Sequence, residues 1–327
     1  MAVSGVLSGV RLAQLACAVP PTVVTNEHFA DALGLEQMQK FEKMVGVKER
    51  RKASDAESTL TLAACAAKKL SAVQNVDAVL FVSQTPDRRL PATACVVQKE
   101  LGIASDCIAY DINLGCSGFV YGVFAAASLL KTGAVKRVLL CGGDTISKIT
   151  DENDPASAPL FGDAGFALIL ESDDTAPDIR YAFKTDGTGW QAITCEFDGQ
   201  LSMDGMDVFN FTINEVPDLI KAEMASAQLT AEDVDYLVLH QANRFVLKQV
   251  AMMTGFPMKK VPISMDRFGN TSSASIPLTL CDLANHDQGV KKVVMSGFGV
   301  GLSWGTLIMD FDLSICKTDC MCMETSK

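Results

Sequence analysis

The amino-acid sequence predicts a duplicated α/β fold, in which two similar halves pack as alternating layers of helices and sheets. An acidic turn followed by a short β-rich run occurs at residues 75–83 and again at 232–240. A basic pair leading into an apolar run occurs at 133–142 and again at 288–297. The two motifs start at similar separations in each copy, from 75 to 133 and from 232 to 288, which indicates two topologically similar halves.

Each half alternates continuous apolar strands with helical patterns, which is typical of an α/β layer structure. Two such halves, packed sheet against sheet with helices between and outside them, would form a five-layered α/β/α/β/α sandwich. We expect an N-terminal half at 1–172 and a C-terminal half at 173–327, the latter ending in a short cysteine-containing tail at 312–327.

One helix start is well marked in the N-terminal half. Ser54 and Glu57 have the spacing of a capping box, and they precede apolar residues at helical spacing from Leu60 to Leu70. The sequence therefore predicts a helix that begins after Ser54.

The composition excludes several classes of protein. With 327 residues, 48% hydrophobic and 20% charged, the chain should bury a substantial core. It has no apolar run long enough to span a membrane and no pattern typical of a secretory signal, so we expect a cytoplasmic protein without a membrane partner. The net charge of −11 argues against nucleic acid as a partner, and most of the 11 cysteines are expected to be buried and reduced.

Cys116 is the first candidate for chemistry. An apolar run at 108–112 predicts a buried strand, a tight turn follows at 113–115, and an apolar helix is expected to start at Cys116. A thiol in the first turn of a buried helix faces unpaired N–H groups and the positive end of the helix dipole, which favour thiolate. On these residues alone, a small core cysteine at a helix start is an equally good interpretation.

A histidine and an asparagine stand out as partners for the thiol. Two of the three histidines, His28 and His286, lie in polar segments typical of a surface, whereas His240 ends an apolar strand just before a helix start. Asn270 lies in a Gly/Ser-rich turn, where asparagine often serves only the turn itself. The glycine-rich run at 296–305 leads into a strand and not a helix, so it is not a dinucleotide loop, and its amides could face an active site.

Four segments together carry a specific resemblance. The runs at 113–119, 240–243, 268–277 and 297–305 resemble the signature blocks of the ketoacyl-ACP synthase III family in order and spacing, and 45–51 and 161–165 resemble two further blocks. The similarity extends from about residue 8 to Phe311. It implies the thiolase-like five-layered α/β/α/β/α sandwich, an acyltransferase activity, and neither a cofactor nor a metal.

The resemblance also implies a mechanism. Cys116 would attack an acyl thioester and carry the acyl group, while the backbone amides of Cys116 and Val300 form the oxyanion hole. His240 and Asn270 would donate hydrogen bonds to the carbonyl of a malonyl thioester, stabilising the enolate left by loss of CO₂. That carbanion would attack the acyl group on Cys116, a decarboxylative Claisen condensation that gives a β-ketoacyl product.

Partners follow from the same resemblance. It implies an acyl carrier protein, an acyl-CoA or acyl-ACP donor, a malonyl thioester and a homodimer. Leu90 is at the position from which the family reaches across to the partner's acyl tunnel, with a plain packing role as the alternative. Basic residues that could dock the carrier are Arg244, Lys248, Lys259 and Lys260, with ordinary solvated charges as the alternative. At the positions of the family's adenine clamp, this chain has Lys40, Met44 and Pro155 in place of aromatic and guanidinium groups, which suggests a carrier-borne or unusual acyl donor.

Two other functions remain open from the sequence. An acyltransferase or thioesterase-like enzyme could use the Cys acyl-enzyme without forming a carbon–carbon bond, and a non-catalytic acyl-binding protein could retain the fold. The tail carries Cys316, Cys320 and Cys322, whose spacing is not that of a standard zinc site. We expect this tail to be disordered or loosely packed.

Overall fold

The computed structural model describes residues 2–196 and 199–320. The elements of the first half are β1 (Val3–Leu7), β2 (Val10–Ala18), β3 (Val23–Thr25), α1 (Glu27–Leu33), α2 (Leu35–Val45), β4 (Glu49–Arg51), α3 (Thr59–Lys68), β5 (Ala78–Val82), α4 (Thr93–Glu100), β6 (Ile108–Ile112), α5 (Gly118–Leu130), β7 (Arg137–Asp144) and β8 (Ala164–Ser172).

The second half continues the same alternation of strands and helices. Its elements are β9 (Ile179–Thr185), β10 (Ile193–Thr194), β11 (Ser202–Met203), α6 (Gly205–Ser226), β12 (Tyr236–Leu239), α7 (Arg244–Thr254), α8 (Met265–Phe268), α9 (Ser275–Leu283), β13 (Val290–Gly299) and β14 (Ser303–Asp312).

Two five-stranded sheets form the frame of the molecule. The first has the strand order β2-β8-β7-β5-β6 and the second the order β1-β9-β14-β13-β12, so β1 crosses from the start of the chain into the second sheet. Helices α5 and α9 contact both sheets and form the central layer, whereas α3 and α4 cover the outer face of the first sheet and α6 covers that of the second. The five-layered thiolase-like α/β/α/β/α sandwich predicted from the sequence is confirmed.

The strand pairing shows the predicted duplication in detail. β5 pairs in parallel with β7, and β12 pairs in parallel with β13. The Asp77 carboxylate accepts from the Arg137 amide (3.0 Å), and the Asp77 amide donates to the Arg137 carbonyl (2.8 Å). Asp235 makes the same two bonds with Lys292, each 2.8 Å long. The acidic turn recurs because its carboxylate satisfies a backbone N–H near the start of the neighbouring strand.

The predicted helix start lies four residues too early. Ser54 and Glu57 do bond to each other, with the Ser54 amide donating to Glu57 Oε2 at 2.9 Å, but they close a turn ahead of the helix. The N-cap of α3 is Ser58, whose side chain accepts from the Thr61 amide while Thr61 Oγ1 accepts from the Ser58 amide. Threonine thus completes the capping box in the place where glutamate is usual.

Two expectations about burial are wrong. The strand at 108–112 is β6, which lies at the edge of the first sheet and leaves Ile108 and Tyr110 exposed. The tail is packed as far as the structure describes it, because Cys316 is buried and the Lys317 amide donates to the Leu15 carbonyl at 2.7 Å. Cys322 lies outside the described residues.

Within the described ranges, no helix is long and apolar enough to span a bilayer.

Candidate active site

Cys116 lies in the turn between β6 and α5, two residues ahead of the helix start at Gly118. The glycines around it allow close packing: a Cβ at Gly118 would lie 2.5 Å from Val82 Cγ1, and one at Gly115 would lie 2.3 Å from Gln84 Oε1. The turn therefore packs directly against β5 and the loop that follows it. This close fit holds the thiol inside the molecule instead of at its surface.

The environment of the Cys116 sulfur favours the neutral thiol. Burial raises the pKa of Cys116 to about 12, with the carboxylate of Asp144 acting in the same direction. The Ser272 hydroxyl, whose Oγ lies 3.9 Å from the sulfur, and the N–H groups of Cys116 and Val300 act against this rise. The expectation that the helix start favours thiolate is thus not met, because the cost of burying the charge exceeds the gain from these donors.

This protonation state predicts how Cys116 reacts with an alkylating reagent. Because the thiolate reacts and its fraction grows with pH, we expect the iodoacetamide rate at Cys116 to rise about tenfold per pH unit from pH 7 to pH 10 without a plateau. Peptide mapping by mass spectrometry would follow this residue separately from the exposed Cys95. A plateau below pH 9 would contradict the burial argument.

His240 is buried at the end of β12, the strand predicted to carry it. Its Nδ1 lies 2.8 Å from Ser275 Oγ, and its ring packs edge-on against Phe298 at 5.4 Å between centroids. Burial lowers the pKa of His240 to about 3, with the Ser272 backbone opposing the shift, so the imidazole is neutral near pH 7. Because Nδ1 is engaged by Ser275, Nε2 is the nitrogen available to a ligand.

Asn270 is held by both its backbone and its side chain. The Asn270 amide donates to the Leu160 carbonyl (2.9 Å), and its carbonyl accepts from the Gly162 amide (3.1 Å). Its Oδ1 accepts from the Ser272 amide at 3.0 Å. With Oδ1 fixed in this way, Nδ2 is directed away from the turn and remains available as a hydrogen-bond donor.

Ser272 joins these three residues and was not singled out from the sequence. It is a non-glycine residue in the left-handed region, with φ of 49°, which is uncommon and marks a constrained position. Its amide donates a hydrogen bond to Asn270 Oδ1, and its hydroxyl oxygen lies next to the Cys116 sulfur. Its backbone raises the pKa of His240, against the effect of burial. The sequence offered only a serine in a Gly/Ser-rich turn, which carries no sign of such a role.

Asp144 is a second residue that sequence reasoning missed. It is fully buried at the end of β7, where Oδ1 accepts from the Gln84 amide (2.8 Å) and Oδ2 accepts from Ser273 Oγ (2.6 Å). Burial raises the pKa of Asp144, and the hydrogen bonds from Ser273 and Gln84 oppose this shift. The carboxylate thus ties the Asn270 turn to the loop after β5. A polar residue ending an apolar strand is the signal that also marked His240, and it could have found Asp144.

The candidate catalytic residues share one cavity of about 860 Å³. Cys116, His240, Asn270 and Val300 all line it. The lining extends to Phe209 and the other α6 and α7 residues on one side, and on the other to the loop after β5 and to β6. The cavity therefore extends from the thiol toward both groups of segments, and its volume suits a substrate larger than the reacting carbonyl alone.

Gly299 brings the Val300 amide close to the thiol. It has φ of 154°, and a Cβ there would lie 2.8 Å from Cys116 Cβ and 3.1 Å from the sulfur. The backbone N–H groups of Cys116 and Val300 both form hydrogen bonds to the Cys116 sulfur that lower its pKa. Two backbone donors beside one nucleophile are candidates for an oxyanion hole, which needs donors aimed at the oxygen of the attacked carbonyl.

The remaining sequence-predicted residues lie outside this centre. Leu90 is 85% exposed, next to the cavity-lining Arg89. Of the four basic residues, Lys248 and Lys259 are exposed, and Arg244 begins α7 with its side chain against Gly46. Lys260 differs, because its Nζ donates to the carbonyls of Ala231, Glu232 and Val234 at 2.9, 3.1 and 2.6 Å.

No group of three or more His, Cys, Asp or Glu side chains suited to a metal ion occurs within residues 2–196 and 199–320.

Comparison with known proteins identifies the family. Residues 110–187 match the family model described as 3-oxoacyl-[acyl-carrier-protein (ACP)] synthase III, and residues 224–311 match that of its C-terminal part. The chain is 34% identical over 323 residues to beta-ketoacyl-[acyl-carrier-protein] synthase III of Lactococcus lactis, covering 92% of this chain and 98% of that protein. The corresponding synthase of a Nostoc species is 33% identical over 328 residues, covering 93% and 98%.

A solved structure agrees with these sequence matches. The 3-oxoacyl-(acyl-carrier protein) synthase of Burkholderia xenovorans superposes with a TM-score of 0.90 at 36% identity, covering 94% of this chain and 96% of that one. The chain belongs to the 3-oxoacyl-[acyl-carrier-protein] synthase III family.

Proposed function

We propose that this protein catalyses a decarboxylative Claisen condensation between an acyl group carried on Cys116 and a malonyl thioester, in acyl-chain biosynthesis. The observation that carries the proposal is that Cys116, His240 and Asn270 line one cavity together, with two backbone amides acting on the sulfur. The relatives' names support it, because they are beta-ketoacyl-[acyl-carrier-protein] synthases III. Acyl carrier protein and malonyl-ACP are the partners that this activity requires.

The acylation step uses the thiol and its two amide donors. The Cys116 sulfur attacks the acyl thioester carbonyl, and the N–H groups of Cys116 and Val300 stabilise the oxyanion that forms. Because the free thiol is neutral near pH 7, its proton must leave as the sulfur attacks. The thiolate that leaves from the acyl donor can accept this proton, so acylation needs no base from His240, whose Nε2 carries a proton in the next step.

The decarboxylation step uses His240 and Asn270 as a pair of neutral donors. Asn270 Nδ2 and a protonated Nε2 of His240 would bond the malonyl thioester oxygen, on which negative charge develops as CO₂ leaves. A buried neutral imidazole suits this role, because it stabilises the enolate without giving it a full proton. The first half of the chain, 1–172, would then supply the nucleophile, and the second, 173–327, both donors.

Ser275 is predicted to select the tautomer of His240. If the Ser275 hydroxyl donates to Nδ1, the proton of the neutral ring stays on Nε2, where it can bond the substrate. We expect Ser275→Ala to lower the decarboxylation rate about tenfold while Cys116 acylation changes little. Ser275→Thr keeps a hydroxyl and should restore much of the rate; equal loss in both variants would argue for a packing effect.

The test of the proposed function is mass spectrometry of the intact enzyme after incubation with acyl-CoA and acyl-ACP donors. We expect an acyl adduct that is absent in Cys116→Ala and is discharged by malonyl-ACP with release of CO₂. An adduct that is discharged by water or by another acceptor without CO₂ release would instead support the acyltransferase or thioesterase-like function.

The donor is predicted to be borne by a carrier protein. At the clamp positions, Lys40 forms an ion pair with Glu36 at 2.9 Å, Met44 is 69% exposed and Pro155 is exposed. None of the three offers an aromatic ring or a guanidinium group to an adenine. We expect acylation by an acyl-ACP to exceed that by acetyl-CoA at equal concentration by about tenfold or more. Lys40→Trp should raise the acetyl-CoA rate, and Lys43→Trp, on the same helix, is the matched control. Faster acylation of the unaltered enzyme by acetyl-CoA would contradict this.

We further propose that two copies associate through β6. This strand has an unpaired edge, and it leaves Ile108 and Tyr110 exposed near the projecting Leu90. The cavity lining also reaches this side through Arg89 and Asp111, so a second copy would close its far end. Sedimentation of the protein and of Tyr110→Asp would test this, with a monomeric unaltered protein contradicting it.

A further inference from the structure

Four cysteines converge beside α9, and none of them lines the cavity that contains Cys116. Cys17 lies on β2 and Cys281 on α9, and both are fully buried. Cys316 and Cys320 follow β14, the first buried and the second partly exposed. All four are free thiols that pack in the same core cluster. Small buried hydrophobes would explain one or two such cysteines, but not four from three parts of the chain that pack around one of them, Cys281.

Backbone hydrogen bonds hold the C-terminal segment in this arrangement. Leu15 and Cys316 form a parallel bridge at the open edge of β2, and the Val19 amide donates to the Cys320 carbonyl at 2.7 Å. Lys69 Nζ donates to the carbonyls of Cys17 (3.2 Å) and Asp319 (2.7 Å). The segment thus extends the first sheet and holds its two cysteines beside α9.

The four thiols are not equivalent. The Cys281 thiol is central, within hydrogen-bonding reach of the thiols of Cys17, Cys316 and Cys320, and these contacts raise its pKa well above the ordinary value. The hydrogen bond from Cys281 lowers the pKa of Cys320, and the Lys69 ammonium adds to this effect against burial. Cys320 therefore combines a lowered pKa with access to solvent, which are the properties of a thiol open to oxidation.

We propose that Cys320 and Cys281 form a redox-active pair, whose disulfide joins the C-terminal segment to α9. The oxidant is a hydroperoxide. The Cys320 thiolate attacks one peroxide oxygen and becomes a sulfenic acid, and hydrogen peroxide leaves one hydroxide ion. The Cys281 thiol then attacks the Cys320 sulfur, so that the S–S bond forms and the sulfenic oxygen leaves as water. A small thiol reverses the reaction by exchange.

The arrangement of the sulfurs favours this pair over a bound metal. The contacts radiate from Cys281 to three neighbours, and the described ranges contain no cysteine group arranged to hold a metal ion. A tetrathiolate site needs four equivalent sulfurs around a common centre. One central resolving thiol next to one accessible thiol is sufficient for a disulfide.

The experiment treats the full chain with a few equivalents of hydrogen peroxide and maps peptides under non-reducing conditions. We expect a Cys281–Cys320 linked peptide with a loss of about 2 Da, reversed by dithiothreitol. Cys320→Ser should abolish it, Cys281→Ser should leave a sulfenic acid at Cys320 that dimedone traps, and Cys95→Ser, an exposed cysteine elsewhere, should leave it unchanged.

Three results would overturn the proposal. The first is oxidation confined to Cys95 or Cys195 while Cys320 remains reduced. The second is a crosslink that omits Cys281, including one between Cys320 and Cys322. The third is a stoichiometric zinc ion that stays with the purified protein and is lost in Cys281→Ser. Each readout is a mass or a metal content, so it is independent of the condensation activity.

Discussion

Replacing Asn270 by aspartate is expected to abolish decarboxylation while acylation of Cys116 stays measurable. Aspartate has nearly the same shape and keeps the oxygen that accepts from the Ser272 amide at 3.0 Å, so the turn should retain its conformation. It removes the Nδ2 donor and places a carboxylate where the enolate charge develops. Loss of one such donor lowers a rate by about 10² to 10³, and the added like charge should increase the loss beyond that.

The measurement for Asn270→Asp separates the two half-reactions. Intact mass would report the acyl adduct on Cys116, and CO₂ release from malonyl-ACP would report decarboxylation. Asn75→Asp, on an exposed turn in the first half, controls for the added charge. Condensation at more than a few per cent of the unaltered rate in Asn270→Asp would remove Asn270 from the mechanism.

Gly299→Ala is expected to lower acylation of Cys116 by at least about a hundredfold, through geometry alone. The new methyl would lie 2.8 Å from Cys116 Cβ, closer than Cβ atoms approach other atoms in proteins, and 3.1 Å from the Cys116 sulfur, which is a tight contact. In addition, φ of 154° is a conformation that alanine rarely adopts. Relief of both strains must shift either the thiol or the Val300 amide, and acylation needs the two together.

Two comparisons make the Gly299 result interpretable. Gly187→Ala, where a Cβ would meet no atom within 4 Å, should leave acylation and melting temperature nearly unchanged. The melting temperature of Gly299→Ala itself would show whether the fold persists. Acylation at the unaltered rate in a folded Gly299→Ala would mean that the Val300 amide does not serve as an oxyanion donor.

The duplicated α/β architecture and the candidate reacting groups could be predicted from the sequence alone. The repeat could be recognised because each of its segments is a run of consecutive residues. Asp77 and Asp235 lie in matching segments, and their carboxylates bond the neighbouring strand in the same way. Cys116, His240 and Asn270 could be singled out because strand ends, glycine-rich turns and family blocks are also features of consecutive residues. Features of consecutive residues can be recognised as patterns in the sequence without knowledge of the fold.

The protonation, the hydrogen-bond partners and the packing of these groups could be learned only from the folded structure. The protonation of Cys116 follows from burial by segments distant in sequence, so the local helix start gave the wrong expectation. The roles of Ser272 and Asp144, the exposed edge of β6 and the packing of Cys316 and Cys320 likewise depend on which strands become neighbours. The physical reason is that desolvation and hydrogen bonding sum over everything that surrounds a group, whereas sequence patterns report only its neighbours along the chain.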